Sequence, residues 1–464
     1  MEQSTKITRS IPFAFLGIGF ARAWVQLLYA NPMTPMPSMG LSSHMIFDLG
    51  YVTLALIVFA CAKRIIPFSE CRATRYLAPT CMIISTLLAV ALPAFGDTAS
   101  IVGTIASCIG GIGFIALSFM NVEIYAPLSS LRVLLYLSAA YVLGGLFAFF
   151  GKGMAPEQLN VMLVLLPIIA FGCIRSAYAG LSASERPRRT VPPFSFPWKI
   201  IALIAVYSFA YGLRQAQLVG GAGRGSSLAT MLAMAVVFLG VYFFADRIVM
   251  ARFYKAPMLF MICGLLLIPA QTLIGDVASS YLISISYTLM HILILLLLYD
   301  MSNRAGVPII VLAAPFYASQ AFAVFGQLTS EALTAATLPA AAQSTALTIA
   351  VAVLVAVASI IALSEKELGS RWKQNAQRKA LGTEGTEAER LTDRCNELSQ
   401  AARLSAREDE VMRLLARKKT MATISRDLFI AEGTVKAHVR HIYEKLGIHT
   451  RRELFDLLGI TEDN

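Results

Sequence analysis

Three ionisable side chains stand out within stretches of sequence that are otherwise apolar. They are Arg22, Asp48 and Arg214, and each falls within a run of about 20 mainly apolar residues, the length that crosses a lipid bilayer. A charge in the hydrocarbon region of a membrane is expensive, so such a residue is a functional candidate by default. The chemistry open to these three side chains is the binding of a charged or strongly polar group.

Arg22 and Asp48 are predicted to lie at one depth in the membrane. Counted from the outer ends of their two helices, both residues fall about 10–12 Å below the outer surface, at ~1.5 Å per residue. They are therefore candidates for an ion pair. The alternatives are a pair that only fixes helix packing, and arginine side chains that extend to the membrane interface.

Further polar side chains strengthen the hypothesis of a ligand site. Gln215 directly follows Arg214, and Tyr287 and His291 are four residues apart on one face of a later helix. For His291, near the middle of the bilayer, the alternative is a packed core histidine. Two arginines against one aspartate favour an anionic or phenolic small molecule as the ligand.

A second group of candidate residues lies near the C-terminus, on a segment with two unlike faces. Its apolar residues recur every three or four positions, at Val435, Val439, Ile442 and Leu446. The opposite face carries Lys436, Ala437, Arg440, His441 and Glu444. A short helix with one buried face and a basic opposite face suits entry into the major groove of DNA.

Residues 404–454 closely resemble the LuxR-type (FixJ/NarL) helix-turn-helix domain, without a gap. The matching segments are Leu404-Ser-Ala-Arg-Glu-Asp-Glu-Val411, Ile424 to Ile430, Glu432-Gly-Thr-Val-Lys-Ala-His-Val439 and Lys445-Leu-Gly-Ile-His-Thr-Arg451. The resemblance implies a domain of four helices, of which the third enters the major groove, and a homodimer on paired half-sites.

The resemblance also implies roles for single residues. Base reading falls to Lys436, Ala437 and Arg440. Phosphate contacts, which position a protein on DNA without specifying sequence, fall to Thr434, Lys445 and Arg451.

Local signals agree with this domain. Ser405 and Glu408 have the spacing of a capping box that opens the first helix, and Thr420 is placed to cap the second. Ala431 stands where the third helix usually has a capping side chain, a loss of about 1 kcal/mol.

Composition separates the two groups of candidates. Of the 464 residues 14% are charged, against about 25% in soluble proteins. Residues 1–363 hold 20 Lys/Arg and 11 Asp/Glu, a net charge of +9, whereas residues 364–464 hold 19 and 17, a net charge of +2. The basic character of the chain is therefore no measure of DNA binding. The seven cysteines are scattered and indicate neither a disulfide framework nor a metal site.

The apolar part is predicted to form twelve membrane spans. They cover residues 11–30, 41–62, 76–94, 100–120, 131–151, 159–180, 199–219, 226–245, 256–274, 280–300, 308–326 and 340–363. With the N-terminus in the cytoplasm, the inner segments carry 15 Lys/Arg and the outer loops carry 2. Positive charge concentrates on the cytoplasmic side, so both termini are predicted to be cytoplasmic in a multi-pass protein of the cell membrane.

The twelve spans divide into two sets of six, separated by the basic, proline-rich segment 181–197. This topology resembles the 6+6 helix bundle of the major facilitator superfamily, with a central cavity between its halves. We therefore predict an all-α chain with a transmembrane sensor domain at 1–363, a charged and partly helical linker at 364–403, and the DNA-binding domain at 404–464.

The expected function is that of a membrane-integrated one-component transcription regulator, in which a ligand of the bundle controls DNA binding by the tail. The first alternative is an active major-facilitator-like transporter with a regulatory DNA-binding tail, and the second is a regulator gated by partner membrane proteins. Neither enzyme activity nor a cofactor or metal is predicted.

Overall fold

The chain folds into two compact units, one within residues 6–380 and one within 381–464. The computed structural model describes residues 12–29, 36–182, 185–192, 194, 196–217, 226–244, 255–268, 276–335, 340–362, 394–395, 398–399, 402, 404–416, 419–428 and 431–458. Every regular element in these ranges is a helix. The predicted all-α class is thus confirmed.

The first unit is a bundle of long helices. Its α-helices are α1 Gly17–Tyr29, α2 Ser43–Ile65, α3 Arg72–Ala91, α4 Ala99–Tyr125, α5 Ser130–Gly151, α6 Pro156–Ala179, α7 Trp198–Gln217, α8 Ser226–Phe244, α9 Lys255–Leu266, α10 Asp276–Ala305, α11 Ile309–Ala318, α12 Ala321–Ala335 and α13 Ala340–Ala362. Two of them begin at serine caps, since Ser42 Oγ accepts from Met45 N and Ser129 Oγ accepts from Arg132 N.

Six helical stretches of the described residues are long and apolar enough to cross a membrane. They are Ser43–Ile65, Thr74–Tyr125, Ser130–Gly151, Pro156–Ala179, Val277–Ala305 and Ile309–Ala332. The second is 52 residues long and covers two predicted spans. Large apolar side chains on the outside of the bundle, such as Val236 and Ile360, suit contact with lipid. The protein is a multi-pass membrane protein, and the count of twelve crossings stays a prediction.

Helix contacts repeat between the two halves of the bundle. In the first half α1 contacts α5 and α6, α4 contacts α2 and α3, and α3 contacts α6. In the second half α7 contacts α12 and α13, α10 contacts α8 and α9, and α9 contacts α13. Between the halves, α5 contacts α8 and α2 contacts α11. Each helix of the first half thus has a counterpart with matching neighbours in the second.

Glycines bring α2 and α4 into close contact. A Cβ atom at Gly50 would collide with the carbonyl oxygen of Cys108, and one at Gly111 with that of Phe47. The two helices approach this closely because only glycine leaves room for the neighbouring backbone.

The predicted span 308–326 is divided in two. The helix α11 ends at Ala318 and α12 begins at Ala321, so two residues interrupt the regular helix. There Gln320 N donates to Tyr317 O over three residues, a tighter turn than an α-helix has. The interruption matters for the site described below, because Tyr317 and Gln320 both face a cavity.

The second unit contains four helices, α14 Ala406–Ala416, α15 Met421–Leu428, α16 Glu432–Leu446 and α17 Arg451–Leu458. Ser405 and Glu408 form the predicted capping box, because Ser405 N donates to the Glu408 carboxylate and Glu408 N to Ser405 Oγ. Thr423 N donates to Thr420 Oγ1, so Thr420 caps α15 as predicted. Most of the predicted linker lies outside the described residues, but Cys395 and Leu398 pack on the core of this unit.

Candidate functional site

The helix α16 carries the candidate DNA-contacting residues. At its start Ala431 provides no side-chain cap, and its carbonyl oxygen accepts from Thr434 N and Val435 N. At its end Gly447 adopts φ 67°, a left-handed conformation that favours glycine, and its N–H donates to Glu444 O. The helix therefore has a defined end and an N-terminus held by backbone alone.

One face of α16 is buried in the core of the C-terminal unit. Val435, Val439 and Ile442 are buried, and Leu446 packs partly against the same core. This orientation leaves Thr434, Lys436, Ala437 and Arg440 exposed to solvent. The structure thus brings these four predicted DNA contacts together on one accessible surface.

Both exposed cations of this surface pair with acids of the same helix. Lys436 Nζ lies 3.2 Å from Glu432 Oε1, and Arg440 Nε lies 3.2 Å from Glu444 Oε1. Exposed pairs one turn apart contribute only about 0.3–0.5 kcal/mol, so a phosphate or a base edge can displace them.

Lys445 holds two helices of the unit together. Its Nζ lies 2.6 Å from Glu408 Oε2, and Glu408 is buried in α14. The hydrogen bond from Lys445, followed by that from the Ser405 backbone, lowers the pKa of Glu408 to about 2. These contacts indicate a structural role for Lys445, and its contact with phosphate stays a prediction.

Arg451 is likewise engaged inside the unit. Its Nη2 donates to Leu415 O at 3.2 Å and to Lys419 O at 3.0 Å, which joins α17 to the end of α14. Its guanidinium also lies 5.2 Å from the ring centre of Phe455. We infer that Arg451 stabilises the domain, whereas the resemblance alone implied a phosphate contact.

The membrane unit contains a cavity of about 260 Å³ that is lined by both of its halves. Four of the predicted ligand-binding residues line this cavity, namely Arg22, Asp48, Tyr287 and His291. They come from three helices that are far apart in sequence, α1, α2 and α10. The fold therefore assembles one polar site from residues that the sequence could place only by depth.

Asp48 pairs with a histidine, and the predicted ion pair with Arg22 is wrong. Among the described residues, the partner of the Asp48 carboxylate is His44, whose Nδ1 lies 3.3 Å from Oδ2. Arg22 instead places its guanidinium 3.7 Å from the ring centre of Tyr141. Both side chains line the cavity, but they do not form a pair, although the sequence predicts the same depth for both.

Tyr287 and His291 lie on the cavity side of α10. The ring of Tyr287 stacks on Tyr211 with centroids 4.5 Å apart, and its hydroxyl donates to Gln320 Oε1 at 2.6 Å. His291 packs against Phe316 with centroids 4.5 Å apart, so it has core contacts as well as a place in the cavity wall. The tyrosine thereby joins α10 to the interruption between α11 and α12.

Arg214 does not belong to this cavity. It is buried, and its Nη2 lies 3.4 Å from Ser280 Oγ of α10. It is not among the residues that line the cavity, because its side chain is held between α7 and α10. The side chain of Gln215 lies outside the described residues. We therefore no longer include Arg214 in the candidate site.

Sequence reasoning missed several residues of the cavity. His44 has a detectable signal, since it precedes Asp48 by four residues and so shares its helix face. Asn121 directly follows the predicted span 100–120 and Gln320 lies within the predicted span 308–326, and a polar residue at such a position is a weaker signal. Tyr51, Tyr141, Tyr211 and Tyr317 carry no signal in one sequence, because tyrosine is common in membrane helices.

Comparison with known proteins identifies the C-terminal unit. Residues 402–458 match the family described as bacterial regulatory proteins, luxR family. The probable transcriptional regulatory protein NarL of Mycobacterium tuberculosis (strain CDC 1551 / Oshkosh) is 46% identical over 48 residues, 10% of this chain and 22% of NarL. The spore germination protein GerE of Bacillus subtilis (strain 168) is 40% identical over 60 residues, 13% of this chain and 81% of GerE. The chain thus spans about a fifth of the length of NarL and most of the length of GerE.

The bundle has its own similarities among solved structures. The major facilitator superfamily transporter FucP in its outward conformation is 15% identical, with a TM-score of 0.46 over 75% of this chain and 98% of that one. A variant of the same E. coli fucose:proton symporter gives 14% identity and a TM-score of 0.43 over the same shares of the two chains. Through its C-terminal helices, the chain belongs to the LuxR family of bacterial regulatory proteins.

Proposed function

We propose that the chain is a membrane-integrated one-component transcription regulator. The observation that carries the proposal is the presence, in one polypeptide, of a LuxR-type DNA-binding unit and a membrane bundle with a polar cavity. Control by the membrane part would explain why a DNA-binding domain is tethered to a membrane. The cavity supplies a place where a small molecule can act.

The proposal includes an orientation. Twelve spans put both termini in the cytoplasm, where DNA is, and this agrees with 15 Lys/Arg in the inner segments against 2 in the outer loops. The predicted ligand site is then reached from the outer side, because Arg22 and Asp48 lie nearer the outer ends of their predicted spans, 11–30 and 41–62.

The proposed mechanism is a population shift. A ligand that binds one conformation of the bundle more tightly than another raises the share of that conformation. To change the ratio of two states from 1:99 to 99:1, the ligand must bind the favoured state about 10⁴-fold more tightly. The shift changes how two tails pair, and a homodimer then binds paired half-sites through Thr434, Lys436, Ala437 and Arg440.

Chromatin immunoprecipitation of the full-length chain tests the DNA-binding half of the proposal. We expect discrete genomic sites for the wild type and none for the double variant Lys436→Ala, Arg440→Ala. The control is Arg452→Ala, which removes an exposed cation from α17 and should retain the sites. Equal occupancy by the double variant and the wild type would refute DNA recognition through α16.

Substrate flux tests the sensing half. The alternative function is active transport with a regulatory tail, and it predicts movement of a bound compound across proteoliposome membranes at ordinary carrier rates. The sensor function predicts binding without such flux, together with a change in transcription from the bound sites. Transport of the inducing compound at carrier rates would contradict the proposal that the bundle senses this compound without transporting it.

A further inference from the structure

Apart from His44 Nδ1 and Asp48 Oδ2, which face each other at 3.3 Å, three polar atoms in the cavity wall are buried and have no hydrogen-bond partner among the described residues. They are Gln26 Oε1, Asn121 Oδ1 and His291 Nδ1. Nearly all buried polar groups in native proteins are hydrogen-bonded, and each one left without a partner costs about 1–3 kcal/mol. Three such atoms around one cavity indicate a wall that is completed by a polar molecule.

Two of these atoms, the amide oxygens of Gln26 and Asn121, are acceptors. The Asp48 carboxylate in the same wall also only accepts hydrogen bonds when ionised, and it has lone pairs beyond the one that faces His44. The complementary groups on a ligand are hydrogen-bond donors. This side of the cavity therefore favours a hydroxyl or an amine over a second acid.

Arg22 favours the opposite kind of ligand group, a hydrogen-bond acceptor. Its guanidinium carbon lies over the Tyr141 ring, 3.7 Å from the ring centre, and the guanidinium has no ion-pair partner among the described residues. Stacking uses the face of the guanidinium and leaves the N–H groups at its edge able to donate. A planar carboxylate fits that edge with two parallel hydrogen bonds.

Much of the remaining wall is aromatic. Tyr51 and Tyr317 meet edge to face with centroids 5.9 Å apart, Tyr211 stacks on Tyr287, and Phe114 lies beside Tyr51. Aromatic side chains of this kind bind a flat ring by stacked and edge-to-face contacts. A cavity of about 150 Å³ accommodates benzene, so the 260 Å³ of this one suits a single ring with two polar substituents.

We propose that the cavity binds a small aromatic acid whose ring carries a hydrogen-bond donor. The carboxylate binds Arg22, the ring packs among the tyrosines, and the donor reaches Asp48 or Asn121. The claim that this acid is the signal rests on the proposed sensing function. The claim that the cavity binds such an acid rests on the cavity alone.

Calorimetric titration of the full-length chain in lipid nanodiscs tests the proposal, without DNA. The probe is 3-(4-hydroxyphenyl)propanoate. Three matched compounds each lack one feature: 3-phenylpropanoate lacks the donor, 3-(4-hydroxyphenyl)propanamide lacks the acid, and 3-(4-hydroxycyclohexyl)propanoate lacks the aromatic ring. We expect the probe to bind and each matched compound to bind at least about tenfold more weakly, a difference of about 1.4 kcal/mol. No binding of the probe at millimolar concentration, or equal binding of any of the three matched compounds, would overturn the proposal.

Variants of Arg22 test whether the carboxylate of the probe binds to this residue. Arg22→Gln should abolish binding of the probe, and Arg22→Lys, which keeps the charge but loses the planar edge, should weaken it. The matched control is Arg175→Gln, since Arg175 also lies in a span over a tyrosine ring, 5.8 Å from Tyr178, but does not line the cavity. If Arg22→Gln does not fold, as judged by its thermal transition, the lysine variant decides. Full binding by a folded Arg22 variant contradicts the assignment.

The two proposals fail separately. A probe that binds through Arg22 without changing transcription supports the ligand class and contradicts sensing. A transcriptional response to another compound, with no binding of the probe, supports sensing and contradicts the ligand class.

Discussion

His44 Nδ1 and Asp48 Oδ2 lie 3.3 Å apart, one turn from each other on α2, at the wall of the membrane cavity. The Asp48 side chain is only 6% exposed, whereas His44 is 34% exposed. A buried carboxylate that loses its partner is strongly destabilising, because its charge is left uncompensated. The pair is therefore expected to behave as one unit.

A double-mutant cycle measures this coupling. His44→Gln and Asp48→Asn should each lower the thermal transition of the full-length chain, and the double variant should lower it by less than the sum. For contacting residues we expect a coupling energy of about 0.5–3 kcal/mol.

The control cycle uses Asp300 and Arg304, which form a more exposed pair at the same spacing on α10. Exposed helix pairs contribute about 0.3–0.5 kcal/mol, so that cycle should be nearly additive. Strict additivity at His44 and Asp48 would show that the two side chains do not depend on each other.

Glu444 is expected to weaken DNA binding. Its carboxylate lies 3.2 Å from Arg440 Nε on the exposed face of α16, so it competes with DNA for that cation. Glu444→Gln should strengthen binding at the sites found by immunoprecipitation by roughly 0.5 kcal/mol, about twofold, and more at low salt. Band-shift titration with full-length protein in nanodiscs checks this. The control is Glu410→Gln, which removes an exposed acid of α14 and should leave the affinity for DNA unchanged. A loss of affinity in Glu444→Gln would instead identify Glu444 as a DNA contact.

The C-terminal unit could be predicted almost entirely from sequence, because its signals are local. The cap at Ser405 and the buried stripe through Val435 depend on residues three or four apart, and the structure contains both. The roles of Lys445 and Arg451 could not be predicted, since their partners lie more than 30 residues away in the chain. The family pattern supplies positions but not these contacts.

The membrane cavity shows more clearly which contacts cannot be predicted from sequence. Their charges within apolar spans singled out Arg22 and Asp48, and both line the cavity. What each side chain contacts depends on the rotation of its helix about its axis, which the sequence does not reveal. That rotation is set by packing, here by glycines that bring α2 against α4. Arg214 has the same apolar surroundings in sequence, yet its helix turns it toward Ser280 and away from the cavity.

Arg451 is predicted to stabilise the DNA-binding unit through its two bonds to backbone carbonyls. Arg451→Lys keeps the positive charge but cannot repeat both bonds from a planar group. Hydrogen–deuterium exchange of the full-length chain should show faster exchange in α14 and α17, corresponding to a loss of about 1–3 kcal/mol. Arg452→Lys, an exposed neighbour, serves as the control.

The salt dependence of DNA binding separates the two roles of Arg451. A structural arginine leaves the slope of affinity against salt unchanged when it is replaced by glutamine, provided that binding is measured where the variant is folded. A phosphate contact would reduce the magnitude of that slope by about one. A reduced slope with unchanged exchange would contradict the structural assignment.

Glu408 gives the DNA-binding unit a defined response to acid. Bonds from Lys445 and from the Ser405 backbone lower its pKa from 4.5 to about 2. A carboxyl group whose pKa is lower in the folded state stabilises that state when it is ionised. Its contribution is therefore complete above about pH 4.5 and is lost as the pH falls toward 2.

Glu408→Gln should destabilise α14 and α16 at neutral pH by about 1.5–3 kcal/mol, the range for hydrogen bonds to charged groups. Hydrogen exchange of the two proteins, compared at each pH, should show this difference shrinking between pH 4.5 and 2. The control Glu410→Gln should differ little from the wild type, because Glu410 is exposed and pairs only with Arg407 across one turn. A difference between wild type and Glu408→Gln that stays constant over this range would mean that the charge of Glu408 does not stabilise the unit.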